Sequence, residues 1–337
     1  MRRQCEGVVS IKQFIVTQND AAQRLDKFLQ KAAPNLPPAA LYKALRTKHI
    51  KVNRKRAEGS TRLQIGDVVD CYLPDEFFAA PAWQHDFLCA PAQLHVLHED
   101  EHILLANKPA GLLSHAGDGE YIDNLLARVQ HYLHEKGEYD PNREHSFAPA
   151  LVNRIDRNTQ GIVIAAKTAV ALRVLNEKMK TRQLRKFYLA AVHGKLHAPQ
   201  WQTVTRYMMK DEAKSLVRVY DSPRAGAKEC ITRYRTLAQA GGYSLVEVEL
   251  LTGRTHQIRA QFAHMGHALV GDGKYAPRAM YQSASYKSQC LCAWRLTFNF
   301  SGAKTELDYL HELDVFAGEP AFLSHLFPGA TLVRETD

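Results

Sequence analysis

The sequence lacks the features that mark several common classes of protein. Its six cysteines, at positions 5, 71, 89, 230, 290 and 292, fit neither a CxxC zinc pattern nor a disulfide framework. No apolar run approaches the roughly 18 residues that a membrane span needs, and the first ten residues lack the apolar core of a signal peptide. A coiled-coil heptad is missing as well. The sequence therefore predicts a cytoplasmic monomer with reduced cysteines and no membrane segment.

Acidic residues are scarce relative to basic ones. Lysine and arginine number 44 against 35 acids, so the formal charge is +9, which favours a polyanionic partner. Hydrophobic residues make up 45% of the chain and charged residues 23%, which is typical of a globular protein. The 337 residues are enough for two domains.

Residues 13–76 have the pattern of a small α/β domain. A capping pattern at Asp20 predicts a helix that runs to Ala32, and Pro37 and Pro38 open a second short helix. Strand-like runs follow at residues 50–52 and 68–73.

The remaining chain predicts a linker and a second domain. Residues 77–93 contain prolines and alanines without clear periodicity, which indicates a linker with scattered apolar anchors. From residue 94 to about 320, strand-like runs alternate with helix patterns; the strands are expected at residues 103–106, 162–166, 188–192 and 245–250. We expect an α+β fold, in which the alternation of residues 246–250 indicates a sheet with one solvent-facing side.

Seven basic residues with no acid among them lie in the small domain: Lys43, Arg46, Lys48, Lys51, Arg54, Lys55 and Arg56. Such a field suits phosphates, because each neutralised phosphate releases counterions; the alternative is a solvated charged face. The segments "QRLDKFL", "LYKALRTKHIKVNRKR" and "LQIGDVV" resemble the S-four RNA-binding domain. That resemblance implies that RNA is the partner.

In the second domain, Asp156 lies between Arg154 and Arg157 just ahead of an apolar strand. Nearby positive charge favours the ionised form of a carboxylate, which can act as a nucleophile or stabilise a cationic sugar. The nearest acids are Glu144 and Glu177, so no local partner supplies the carboxylate pair of glycoside hydrolysis. A surface ion-pair loop is the competing interpretation.

Further along, Ile258, Phe262 and Met265 recur at helical spacing and should face the core, with Thr255 as N-cap, which leaves Arg259 to project elsewhere. Three histidines lie in or near this helix, at positions 256, 264 and 267. Their spacing is not the HExxH pattern of a zinc site and no cysteine supports them. We therefore expect no metal there.

Four blocks together resemble the RluA family of pseudouridine synthases: "DEHILLANKPAGLLSHAG", "NRIDRNTQG", "KFYLAAVHG" and "GRTHQIRAQFAHMGHALVGD". The resemblance implies a pseudouridine synthase fold with a mixed, largely antiparallel sheet, and a reaction that needs no cofactor. It departs from the usual pattern at Asn153, where histidine is common, and at Gln160, where serine is common. These departures affect substrate positioning, since neither residue is the aspartate.

The resemblance also implies roles for individual residues. Asp156 is then the catalytic aspartate and Arg259 the arginine that pairs with it. Tyr188 is the active-site tyrosine, which packs against the base and is a candidate to accept the proton from its carbon 5. Arg154 holds the RNA around the extruded nucleotide, and Arg254 is a second basic residue.

Two other functions are compatible with parts of the sequence. One is an RNA-binding factor without catalysis, against which the intact Asp156, Tyr188 and Arg259 argue. The other is an RNA methyltransferase, but no GxGxG segment follows a predicted strand to hold a methyl donor. For the synthase we expect large-subunit ribosomal RNA as substrate, with transfer RNA second.

Overall fold

The computed structural model describes residues 11–80, 82–117, 119–211 and 216–332. The first part, here called the small unit, contains four strands and two helices: β1 (Ile11–Ile15), α1 (Leu25–Ala32), α2 (Pro38–Arg46), β2 (Ile50–Val52), β3 (Lys55–Arg56) and β4 (Val68–Tyr72). The strands form an antiparallel sheet in the order β1-β4-β2-β3. Apolar faces of both helices cover it, with Phe28, Leu29 and Leu41 in the shared core.

The N-cap of the first helix is Arg24, four residues after the predicted Asp20, so the predicted N-cap was wrong. Ala22 adopts a left-handed backbone with φ of 62°, which no continuous helix can include. The Asp20 carboxylate instead accepts hydrogen bonds from the Thr17 backbone at 3.1 Å and from the Ser146 hydroxyl at 2.6 Å. It therefore joins the small unit to the rest of the protein. The second helix does begin at the predicted proline pair.

Two 3₁₀ helices connect the units, Asp75–Phe78 and Ala82–Cys89. The remaining elements form the large unit: β5 (Val96–Glu99), β6 (Ile103–Lys108), α3 (Leu125–Glu135), β7 (Ala150–Leu151), β8 (Gln160–Ala166), α4 (Ala169–Lys180), β9 (Leu184–His193), β10 (Gln202–Asp211), β11 (Leu216–Tyr220), β12 (Lys228–Ala240), β13 (Tyr243–Leu250), α5 (Gln257–His264), α6 (Arg278–Ser283), β14 (Leu291–Phe298), a 3₁₀ helix (Asp308–Leu310), β15 (Asp314–Phe316) and α7 (Ala321–Leu326).

Eleven strands of the large unit form one sheet. Nine follow the order β11-β10-β12-β13-β9-β14-β8-β6-β5, while β15 pairs with β14 and β7 with β8. Among the described residues, the pairing of β14 with β8 is the one parallel pairing. The predicted α+β fold with a mixed, largely antiparallel sheet is confirmed, and so are the four predicted strands.

Helices cover both faces of this sheet. One face packs against α3 and α5 through Val129 and Phe262, and the other packs against α4 and α7 through Leu175 and Phe322. The strands between are consequently apolar on both sides, as in β8. Within the described part of the chain, no helix combines the length and apolar character needed to cross a membrane.

The prediction of a solvent-facing side on residues 246–250 was wrong. Glu247 and Glu249 are buried, because neighbouring strands place arginines on the same face. Glu249 accepts from Arg185 and Arg233, both at 2.9 Å, and Glu247 accepts from Arg235 at 2.8 Å. The alternating glutamates of this strand therefore form buried ion pairs, in which each carboxylate has an arginine partner.

Candidate active site

Asp156 lies in the loop of residues 152–159 between β7 and β8, called here the aspartate loop. Directly after it, Gly161 has φ of 114°. A Cβ atom at this position would lie 2.1 Å from the Ala293 carbonyl oxygen, so only glycine lets β8 approach β14 this closely. The close approach sets the loop at the point where the two parallel strands begin to pair.

The Asp156 carboxylate is held by Arg259 of α5, whose Nη1 donates to Oδ2 at 2.9 Å. Arg259 is only 7% exposed, and Asp272 binds its other edge: Nε donates to Oδ2 at 2.7 Å and Nη2 to Oδ1 at 2.9 Å. Asp272 is fully buried. One guanidinium thus bridges two carboxylates, of which one is buried and the other faces solvent.

Burial opposes the charge of Arg259, but the hydrogen bonds and charges of Asp272 and Asp156 outweigh burial and raise the pKa of the guanidinium. It stays a cation at every working pH. Backbone N–H groups of Lys274 and Tyr275 donate to the same Asp272 at 2.9 and 3.2 Å, which fixes its orientation.

Tyr188 of β9 is also buried and lines the same cleft. Burial and the negative charge of Asp156 raise the pKa of its phenol. The hydroxyl therefore remains protonated at neutral pH and can donate a hydrogen bond.

Lys108, at the end of β6, stabilises the aspartate loop through backbone hydrogen bonds. Its Nζ donates to the carbonyl oxygens of Pro109 at 2.9 Å, Leu112 at 2.6 Å and Arg157 at 2.9 Å. Burial lowers the pKa of Lys108 to about 7, against the opposing charge of Asp156. The lysine thereby ties the turn of residues 109–112 to the aspartate loop.

Ser114 adds a second tie to the aspartate loop. Its hydroxyl donates to the Ile155 carbonyl at 2.8 Å and accepts from the Ile155 N–H at 3.2 Å. Sequence reasoning missed Lys108, Ser114 and Asp272. The available signals were a lysine that ends an apolar strand and an aspartate that follows the buried segment Ala268, Leu269 and Val270.

Asp156, Tyr188 and Arg259 line a cleft of about 580 Å³. Among the described residues that line it, Asp156 is the one carboxylate, and five are basic: Arg154, Lys186, Lys210, Arg254 and Arg259. Arg154 and Arg254 are exposed at its wall, and Arg254 Nε donates to the Glu229 carbonyl at 3.0 Å. The structure thus brings together all five residues that the sequence indicated for this domain.

Asn153 and Gln160, which depart from the usual family pattern, lie near Asp156 in the chain and contact other groups. The Asn153 Oδ1 accepts from the Ile164 N–H at 2.8 Å, which ties the start of the loop to β8. Gln160 Nε2 lies 3.8 Å from the Cys292 Sγ. Both side chains are used in holding the strands.

The start of α5 differs from the prediction that Thr255 is its N-cap. His256 takes that position in a left-handed conformation and makes no side-chain cap. Gln257 instead reaches back, and its Oε1 accepts from the Arg254 N–H at 3.0 Å. As predicted, Ile258 and Phe262 face the core.

The three histidines near α5 point to different partners. His264 contacts Asp221 at 3.2 Å, His267 contacts the His193 carbonyl at 2.9 Å, and His256 contacts the Tyr275 hydroxyl at 2.8 Å. Among the described residues, no group of three or more His, Cys, Asp or Glu side chains is placed to bind a metal.

The seven basic residues of the small unit lie along α2, β2, β3 and the turns between them, and form what is called here the basic face: Lys43, Arg46, Lys48, Lys51, Arg54, Lys55 and Arg56. All are exposed except Lys51, which is half-buried with its Nζ 5.1 Å from the Tyr72 ring centre. Within the part of the chain that the structure describes, none of them forms an ion pair with an acidic residue.

Comparisons with known proteins show the family of this chain. A model of the RNA pseudouridylate synthase family matches residues 102–264. The chain is 34% identical over 273 residues to ribosomal large subunit pseudouridine synthase C of Vibrio cholerae, covering 79% of this chain and 81% of the relative. It is 32% identical over 283 residues to the Escherichia coli K12 protein of that name, covering 80% and 81%.

Two solved structures share the fold. Human RNA Pseudouridylate Synthase Domain Containing 1 aligns with a TM-score of 0.54 at 19% identity, covering 74% of this chain and 89% of that one. Human RNA Pseudouridylate Synthase Domain Containing 4 gives 0.53 at 20% identity, covering 73% and 96%. The sequence relatives and the family model confirm the family inferred from the sequence, and the two structures confirm the fold. The chain belongs to the RluA-type RNA pseudouridine synthases, enzymes that isomerise uridine in RNA to pseudouridine.

Proposed function

We propose that this enzyme modifies uridines of large-subunit ribosomal RNA, with Asp156 as its essential carboxylate. The main support is that Asp156 is the one carboxylate among the described residues of a cationic cleft and accepts from the buried Arg259 at 2.9 Å. The substrate class is supported by the Vibrio and Escherichia relatives, which are named for the large ribosomal subunit. Transfer RNA is the second candidate.

The reaction breaks the bond from ribose C1′ to uracil N1, turns the base and joins C1′ to C5. The C5 proton is then lost and N1 gains one, so the product is an isomer of the substrate and we propose that no cofactor is required. Asp156 serves this exchange either by attacking C1′ or by promoting loss of the base to a glycal-type intermediate. In both routes the Arg259 cation keeps the carboxylate oriented.

Tyr188 lies beside Asp156 in the cleft, and we assign it to packing against the base. Because its raised pKa keeps the phenol protonated at neutral pH, little phenolate is present to accept the C5 proton. The sequence left both roles open, and this pKa favours packing and hydrogen-bond donation. The aromatic ring offers the base a stacking surface once it leaves the RNA.

A uracil inside folded RNA must be flipped out before it reaches Asp156, which costs a few kcal/mol. We assign Arg154 and Arg254 to RNA contacts that offset this cost, since both are exposed at the cleft wall. The small unit acts as an S-four-like RNA-binding domain, spanning residues 13–76, whose basic face binds phosphates. A linker of residues 77–93 joins it to the catalytic domain of residues 94–320, and the enzyme works as a monomer.

Tritium release from RNA labelled at uracil C5 tests the proposal. The native enzyme should release tritium from a large-subunit ribosomal transcript, while Asp156→Asn, which keeps the shape and loses the charge, should be at least about 1000-fold slower. Glu177→Gln is the matched control, because this exposed acid of α4 lies outside the cleft and, among the described residues, forms an ion pair with Lys180 alone. Equal rates for the native enzyme and Asp156→Asn would contradict the catalytic role. Release from transfer RNA alone would reassign the substrate.

A further inference from the structure

His256 occupies an unusual backbone position at the entrance to α5. Its φ and ψ are 53° and 25°, in the left-handed region where a residue other than glycine carries strain. The side chain lines the cleft and is 15% exposed. Strain at such a position suggests that the structure holds this imidazole in place for a purpose beyond packing.

The two ring nitrogens of His256 face different groups. Nδ1 lies 2.8 Å from the Tyr275 hydroxyl, and Nε2 lies 3.8 Å from Asp156 Oδ2. The Tyr275 oxygen in turn accepts a hydrogen bond from the Val217 backbone N–H at 3.1 Å. A chain of contacts therefore runs from β11 through Tyr275 and His256 to the reactive carboxylate.

This chain selects one tautomer of the neutral ring. A half-buried phenol donates its hydrogen wherever an acceptor is within reach. Among the described residues, His256 Nδ1 is the acceptor within reach of the Tyr275 hydroxyl. Nδ1 consequently has no hydrogen of its own, and the hydrogen of the neutral imidazole lies on Nε2, directed to Asp156.

The charges around His256 have opposing effects. Burial has the largest effect and lowers its pKa; Arg259 and Lys274 lower it further, while Asp156 and Asp272 raise it. The net shift is downward, so the ring is neutral at pH 7.

We infer that His256 is a positioning residue for Asp156, which presents Nε2–H to the same carboxylate oxygen that Arg259 contacts. Both donors then face Oδ2, and the structure records no donor to Oδ1 among the described residues. Oδ1 is left as the oxygen that meets the ribose. This inference rests on the proposed role of Asp156 and adds which oxygen reacts and what holds it.

Two substitutions separate the Nε2–H from the bulk of the side chain. His256→Gln keeps an N–H at the reach of Nε2, whereas His256→Asn accepts the left-handed backbone but places its amide only at the reach of Nδ1. At saturating RNA, kcat should fall about tenfold in His256→Asn and less than about threefold in His256→Gln, with KM unchanged in both. Thermal unfolding checks that both variants fold.

The pH profile gives a readout that a purely structural role does not move. Protonation places a hydrogen on Nδ1, which removes the acceptor for Tyr275 and adds a charge beside Asp156, so the native kcat should fall as pH drops through the lowered pKa of His256. His256→Gln cannot be protonated and should keep its kcat to lower pH. Identical acid limbs, or full kcat in His256→Asn, would overturn the inference while leaving Asp156→Asn inactive. Activity in Asp156→Asn would instead remove the proposed function itself.

Nuclear magnetic resonance tests the tautomer without any activity. Two-bond ¹⁵N–¹H correlations of the imidazole distinguish Nε2–H from Nδ1–H, and the His256 signals are those that disappear in His256→Asn. The native protein at pH 7 should show Nε2–H, and Tyr275→Phe should show a mixture of tautomers. An Nδ1–H form or an imidazolium in the native protein would refute the assignment.

Discussion

Arg259 in the cleft and Arg56 on the basic face carry the same charge in opposite surroundings. Arg259 is buried between Asp156 and Asp272, and hydrogen bonds fix three of its nitrogens. Arg56 is exposed on β3 and has no ion-pair partner among the described residues. The Arg259 cation fixes the orientation of the Asp156 carboxylate, because Asp272 holds the guanidinium in place. The Arg56 cation adds to the total charge that binds phosphates, because an exposed cation contributes to phosphate binding with little dependence on direction.

The largest effect in this comparison is expected from Asp272→Asn. The substitution leaves the buried Arg259 with Asp156 as its remaining carboxylate, so kcat should fall about 100-fold. The free energy of unfolding should fall by about 3 kcal/mol, because a buried charge loses its main partner. Tritium release and denaturant unfolding measure the two quantities.

Asp314→Asn is the matched control for this prediction. Asp314 also binds a buried arginine, Arg295 at 2.7 Å, and lies on β15 outside the cleft. It should lose comparable stability and keep its kcat. If both variants lose kcat alike, the effect of Asp272 comes from general destabilisation and the geometric argument is wrong.

Lys108→Met should have the next largest effect. It leaves the carbonyl oxygens of Pro109, Leu112 and Arg157 without their shared donor, which should lower the free energy of unfolding by about 2 kcal/mol. Because the Arg157 carbonyl belongs to the aspartate loop, kcat should fall about tenfold as well. Unchanged kcat with reduced stability would show that Lys108 supports the fold but not the site.

Lys108 also predicts a pH dependence of stability. Its pKa is about 7 in the folded protein against an ordinary 10.5, so between these values the unfolded chain binds a proton that the folded chain does not. Stability contributed by this group therefore rises as pH increases from about 7 to 10.5. Lys108→Met should flatten that rise in unfolding experiments at several pH values. A native protein with the same pH slope as the variant would mean that the three carbonyls keep the ammonium charged.

Local patterns in the sequence were sufficient for most of the fold and for the centre of the site. The strands around residues 162–166 and 188–192 were predictable from continuous apolar runs. Asp156 and Arg259 were expected from the four blocks that together resemble the RluA family. Asp272 and Lys108 were not, because their importance depends on partners that only the folded chain brings near. The Lys108 contact with Arg157, for example, spans 49 residues.

The errors had similar causes. The predicted N-cap at Asp20 failed because Ala22 is left-handed and Ser146, 126 residues away, binds the carboxylate. The solvent-facing side predicted for β13 failed because Arg185 and Arg233 come from strands on either side of Glu249. Charge in a sequence shows that a partner is needed, but not whether that partner is water.

The smallest effect per residue is expected on the basic face. Replacing Lys51, Arg54 and Arg56 together with glutamine should raise KM for RNA about tenfold at physiological salt and leave kcat at saturation unchanged. The slope of log affinity against log salt should fall by about 2, because each lost phosphate contact on single-stranded RNA removes about 0.7 of counterion release. A single Arg56→Gln should change KM only about twofold.

The control variant carries glutamine at Arg143, Lys195 and Lys304, which are exposed basic residues outside the cleft. It removes the same net charge from the large unit. If that control variant changes the salt slope equally, RNA affinity depends on the net charge of the protein and not on the position of the basic face. The contrast drawn between Arg56 and Arg259 would then be wrong for Arg56.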